Sequence, residues 1–227
     1  MSFLPSKHGF AFTNSWPSQP AVVRRTAFGN ITLGNASRGL CGGMVFAALD
    51  YWHAGTTPPA QRPAAGSAAY AHIVDRLVDS WHIPAGIAQY YQWMNLPDAD
   101  TGFEILGRHV LRERGLAWRT VEVQWRQIRK DLDQGIPAAL GVVTVDSADP
   151  RDLGLNHQVL AYTYDLDGTG VTLGVYDPNR GPRDDAVIRF DTRNPQRRIA
   201  FSHTLGLSRA VRGFFRTAYD VASPPGT

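Results

Sequence analysis

The sequence predicts an α+β fold, with helices in the first part of the chain and an antiparallel sheet in the second. Between residues 40 and 134 apolar residues recur at helical spacing. From residue 137 the pattern changes to continuous or alternating apolar runs of strand length. Two of those runs flank Asp167-Gly168, a strong hairpin turn signal. Helices and strands segregated along the chain belong to an α+β layout rather than to a wound parallel sheet. The 227 residues suffice for one domain with a helical lobe over about 30–134 and a sheet lobe over about 135–220.

The elements follow in order. Residues 1–36 read as loop-rich, with Pro5, Pro17 and Pro20 opposing helix and short extended pieces at 9–13 and 21–26. Leu40, Met44, Val45, Ala48, Leu49 and Trp52 then mark a buried helix that opens at Cys41 and ends near 53–55. Prolines and small residues make 56–66 a loop. Tyr70, Ile73, Val74, Leu77, Val78 and Trp81 share one face of a helix over 68–81, and a shorter helix over 85–95 carries Ile87, Tyr90, Tyr91 and Met94. Thr101-Gly102-Phe103-Glu104 fits a capping box and predicts a helix to about Arg114, stopped by Gly115. Trp125, Ile128 and Leu132 predict another over 124–134. Strands are expected at 137–145, 157–164, 170–176, 186–190, 199–202 and 212–219, before a Pro/Gly-rich tail that frays.

Composition narrows the function. The formal charge is +3, carried almost wholly by arginine. The clusters Arg24-Arg25 and Arg197-Arg198 are short, and no basic run interleaves with aromatics, so a solvated surface is expected rather than a nucleic-acid site. No apolar run is long enough to span a membrane. Residues 1–18 lack a basic segment followed by an apolar core, which leaves the compartment unknown and cytoplasmic by default. A single cysteine excludes an internal disulfide and a cysteine-rich zinc site. Oligomeric state is left open.

That cysteine, Cys41, sits at the first turn of its helix between glycines. The first N–H groups of a helix have no internal partners, and the macrodipole adds about half a positive charge there. A thiol at such a site, given a cationic neighbour, falls from a pKa of about 8.5 to roughly 3.5–7.5. Gly42 and Gly43 would let a substrate backbone approach the sulfur. Each glycine lowers helix propensity by roughly 1 kcal/mol against alanine, so a purely structural helix start would gain nothing from them.

A thiolate nucleophile needs a base, and the base needs an orienting acceptor. His157 opens one strand and Asp177 follows the next. The turn at Asp167-Gly168 makes those strands antiparallel neighbours, so His157 and Asp177 fall at the same end of the hairpin. His53 lies too far along the Cys41 helix to serve as its base. Asp165 and Asp167 resemble the start of a calcium loop, but Tyr176 stands where the bidentate glutamate belongs.

Gly39-Leu40-Cys41-Gly42-Gly43 opening a helix, Asn156-His157 before an apolar strand, and Tyr176-Asp177-Pro178-Asn179 together resemble the papain-like cysteine peptidases. The nearer likeness is to their bacterial bacteriocin-processing branch, over roughly residues 30–180. The resemblance implies a two-lobe fold with a cleft between the lobes, and a Cys41, His157, Asp177 triad. The family usually carries a glutamine six residues before the cysteine as an oxyanion-hole donor; Asn35 stands there, with a side chain one carbon shorter. If the backbone is shifted, Asn179 rather than Asp177 orients His157. The implied activity is cysteine hydrolysis of amide bonds in a peptide or protein substrate, through a thioester, with no metal or cofactor. An amide-modifying enzyme (deamidase or transglutaminase-like acyltransferase) and a catalytically silent binding domain of the same fold are the alternatives.

Overall fold

A computed structural model describes residues 2–16, 22–26, 29–33, 40–105 and 108–226. The chain opens with a single helical turn, α1 (Pro5–His8), and a separate two-stranded hairpin, β1 (Val22–Thr26) with β2 (Gly29–Leu33). Helices α2 (Cys41–His53), α3 (Ala68–Ser80) and α4 (Ala85–Met94) follow. A second hairpin, β3 (Thr101–Ile105) with β4 (Arg108–Glu113), precedes a continuous helical stretch. That stretch comprises α5 (Leu116–Trp118), a π-helical segment (Arg119–Trp125) and α6 (Arg126–Asp133). The remainder is a six-stranded sheet: β5 (Ala138–Val143), β6 (His157–Asp167), β7 (Gly170–Tyr176), β8 (Val187–Asp191), β9 (Ser202–His203) and β10 (Gly213–Arg216). Its spatial order is β10-β5-β6-β7-β8-β9, with every neighbouring pair antiparallel. The protein is therefore α+β, helices first and sheet second.

The strand period of two explains how the sheet serves two cores. Leu160 and Tyr176 face α2 and pack with Met44, Phe46, Leu49 and the α3 residues Ile73 and Leu77. Val159, Ala161, Leu173 and Val175 face the other way, against Val121, Trp125 and Ile128. Residues 42–51 of α2 are all buried, as a helix apolar on nearly every side must be. The N-terminal segment completes the first core with Phe3, Phe10 and Trp16. Gly168 takes the positive φ of 56° that its tight turn needs, and Asp167 pairs with Gly170 across it.

The expected helix over 101–114 is instead the β3–β4 hairpin. All of β3 is exposed, so a helix there would have had no core to receive its apolar side. A hairpin satisfies backbone groups across its two strands without burial, and Phe103 opposes Val110 in its register. Gly115 does not stop a helix but precedes α5, its N–H donating to Asp100 Oδ1 at 2.9 Å. The helix expected from 124 thus begins at Leu116, and its π-helical turn keeps Val121, Trp125 and Ile128 all inward. Residues 9–13 form no strand; the segment is held by the Phe10 N–H on the Tyr176 hydroxyl at 3.2 Å. The last two strands are shorter than expected, Ser202–His203 and Gly213–Arg216. No helix among the described residues is long and apolar enough to cross a membrane.

Candidate active site

Cys41 is the first residue of α2, partly exposed at the floor of a cleft of about 610 Å³. The two glycines beside it have a different reason from the one expected. A Cβ on Gly42 would lie 1.9 Å from Gln158 Oε1 and 2.4 Å from Ser80 Oγ. A Cβ on Gly43 would lie 2.0 Å from the Ile73 carbonyl oxygen. Gly42 lets β6 reach the helix and Gly43 lets α3 cross it, so both serve close packing that sets the height of Cys41 in the cleft, rather than access for a substrate backbone.

His157 opens β6 opposite Val142 of β5, and Asp177 follows the last residue of β7. The β6–β7 pairing brings them together: His157 Nε2–H donates to Asp177 Oδ1 at 2.8 Å, with both side chains buried. Asp177 Oδ1 also accepts the Asn179 N–H at 2.9 Å, and Oδ2 accepts the Gly206 N–H at 2.7 Å. Burial pushes the Asp177 carboxyl up, but the His157 hydrogen bond and charge, with these two N–H donors, hold it below the usual carboxylate range. It is a fixed anion. Tyr90 supports the histidine from behind, its hydroxyl donating to the His157 carbonyl at 3.3 Å.

With Nε2 committed to Asp177, Nδ1 is the ring nitrogen left for Cys41, which lines the same cleft as His157. Burial alone would raise the Cys41 thiol, and the charge and hydrogen bond of His157 outweigh it, helped by the N–H groups of Gln158 and Gly42. The thiol is held below its ordinary range. Burial alone would depress His157, and the Cys41 thiolate and the Asp177 carboxylate together push it up to about 10. The two shifts, downward for the thiol and upward for the imidazole, are the directions that favour a thiolate–imidazolium pair with a carboxylate behind it.

Cys41, His157 and Asp177 are thus brought together. Asn179 does not orient His157: its side-chain amide donates to the Gly206 carbonyl at 3.2 Å and accepts from Asn14 at 3.0 Å. Asn35 lies outside the described residues. The loop over 147–156 lines the cleft through Arg151, Asp152 and Asn156. His53 stacks on Tyr219 instead, with ring centroids 5.8 Å apart. Sequence reasoning missed Asn14, Tyr90 and the Gly206 N–H. Asn14 bonds Asn179 across 165 residues, and no local pattern announces such a partner. In comparisons with known proteins, the chain matches no family model, no curated protein and no solved structure.

Proposed function

We propose that the chain is a cysteine hydrolase, a peptidase of papain-like two-lobe layout, acting through Cys41, His157 and Asp177. The observation that carries this reading is the buried 2.8 Å His157–Asp177 pair in the same cleft as a thiol at a helix N-terminus. The chain layout supports it too, since the nucleophile comes from the helical part and its partners from the sheet.

The Cys41 thiolate attacks the carbonyl carbon of an amide, and the carbonyl electron pair moves onto oxygen. The Cys41 N–H, which has no partner within its own helix, is one donor for that oxyanion. Asn35 is the second on the strength of the family resemblance. As the oxyanion collapses, the C–N bond breaks and the amine leaves with the proton from His157 Nδ1. A thioester remains. Water attacks it, gives a proton to His157, and releases the acid and the thiolate. Asp177 keeps the ring oriented and stabilises the imidazolium throughout.

The test is the rate of Cys41 alkylation by iodoacetamide across pH 4–9, read by intact mass, in the wild type and in His157→Ala. The expected wild-type profile rises well below the ordinary thiol pKa of about 8.5. In His157→Ala it moves up in pH, because the His157 charge and hydrogen bond that offset burial are gone. Wild-type labelling like that of a free thiol, unchanged by the substitution, would exclude the hydrolase and favour a silent binding domain. Turnover of a peptide library with and without an added amine then separates hydrolysis from acyl transfer.

A further inference from the structure

The start of α2 lacks a cap of its own. Its N-cap residue is Leu40, whose side chain offers no acceptor and whose backbone sits at φ −114°, ψ 36°, outside the helix. An acceptor reaches it from far away in sequence. Asn14 Oδ1 accepts the Leu40 N–H at 2.7 Å and the Trp16 indole N–H at 3.2 Å. Two donors on that atom fix the orientation of the Asn14 amide, so its Nδ2 must point the other way. There it donates to Asn179 Oδ1 at 3.0 Å. The Asn179 amide is fixed in turn, because its own Nδ2 donates to the Gly206 carbonyl. The Asn14 backbone joins the same turn, its N–H donating to the Pro178 carbonyl at 2.8 Å.

These contacts frame the site. Cys41 and His157 line the same cleft, His157 bonds Asp177, and Asp177 accepts the Asn179 N–H. Asn179 accepts from Asn14, and Asn14 accepts from Leu40, the residue before Cys41. The nucleophile and its base come from elements that meet only through tertiary packing. Inside this frame their separation is set on one side by the reacting groups and on the other by the two asparagines.

We propose that Asn14 is a positioning residue, which with Asn179 clamps the Leu40–Cys41 end of α2 to the Asp177–Asn179 turn and so sets the distance between the Cys41 sulfur and the His157 ring. This rests on the reading of Cys41 and His157 as a reactive pair. Asn14 acts through the geometry of that pair and takes no proton itself.

The experiment compares Asn14→Ala, Asn179→Ala and the double variant with the wild type and His157→Ala. It uses the full chain and reads the pH dependence of Cys41 alkylation by iodoacetamide, alongside melting by far-UV circular dichroism. Each single variant is expected to label about tenfold more slowly at pH 6, with the midpoint raised by about one pH unit, a loss on the scale of one hydrogen bond. The double variant should be no worse than the worse single, because both remove the same link. A midpoint unmoved in both single variants, with rates within about twofold of wild type, overturns the clamp. So does a slower rate that only tracks the loss of folded protein. If Asn14→Ala does not fold, Asn179→Ala decides, since it removes the side-chain link between the asparagines while leaving Leu40 capped and the Asn14 N–H on Pro178. A wild type that labels like a free thiol and ignores His157→Ala brings down the hydrolase reading and the clamp together; a low-pH wild-type profile with unmoved variants brings down the clamp alone.

Discussion

Asp177 shows how much one side chain is asked to do. It is wholly buried, and it is kept ionised by three donors: the His157 ring and the N–H groups of Asn179 and Gly206. Its charge raises His157, and the imidazolium in turn lowers Cys41. The signs are opposite and the consequence is a window. On the proposed reading, the reactive pair exists above the depressed Cys41 pKa and below about 10, where His157 loses its proton. The stability each group contributes has matching limits. That of His157 is complete below its unfolded value of about 6.5 and is lost as pH rises through its folded value. That of Cys41 is present above about 8.5 and is lost as pH falls through its lowered value. Asp177→Asn should therefore narrow the window from both sides. The alkylation midpoint should fall between wild type and His157→Ala, and the alkaline limb of kcat/KM on a cleaved peptide should move down in pH. The analogous change in a serine triad lowers kcat about 10⁴-fold, which bounds the expected loss of turnover.

At the scale of elements, the glycine pair tests how α2 is seated. Gly42 meets side-chain ends, Gln158 Oε1 and Ser80 Oγ, which can turn aside. Gly43 meets backbone, the Ile73 carbonyl of α3, which cannot move unless the helix moves. Gly42→Ala should cost about 1 kcal/mol and Gly43→Ala about 3 kcal/mol, the lower and upper ends of ordinary overpacking, read as shifts in urea midpoint at constant slope. The reverse order would mean that α2 and α3 adjust more readily than β6. The hairpin at 101–113 carries the opposite lesson. Thr101 and Glu104 satisfy a capping box by spacing, yet the segment projects with Phe103, Ile105 and Val110 exposed. Local capping signals are worth only about 1 kcal/mol, and most helical stability comes from a packed face. Where the fold offers nothing to pack on, the local signal loses.

At the scale of the molecule, the C-terminal segment is tied to the helices by a buried charge. Asp50 of α2 is wholly buried and meets Arg76 of α3, with Arg76 Nε 2.8 Å from its Oδ2 and His72 Nε2 3.0 Å from the same oxygen. Asp50 Oδ1 accepts the Tyr219 hydroxyl at 2.7 Å and the Ala222 N–H at 3.0 Å. Arg76 donates on to the Asp220 carbonyl and pairs with Asp79. Arg76→Ala leaves Asp50 buried without its main cation, and a loss of about 3–5 kcal/mol is expected in urea unfolding. The double variant Asp50→Leu with Arg76→Leu should lose much less, because no charge is stranded. Equal losses in the two would mean that the network holds the C-terminal segment by packing rather than by charge.

The helix-then-sheet order, the helix at Cys41, the β6–β7 hairpin and the meeting of His157 with Asp177 were legible from residues alone. Each rests on a period, a turn or a pairing rule that acts over a short stretch of chain. Three matters were settled only by the tertiary structure: Gly42 and Gly43 make room for β6 and α3, residues 101–105 pair with 108–113 as strands, and Asn14 caps α2 from 26 residues away. All three turn on which surfaces meet. A sequence specifies its local preferences residue by residue, but the neighbour that a glycine admits or an asparagine reaches exists only once distant segments have packed.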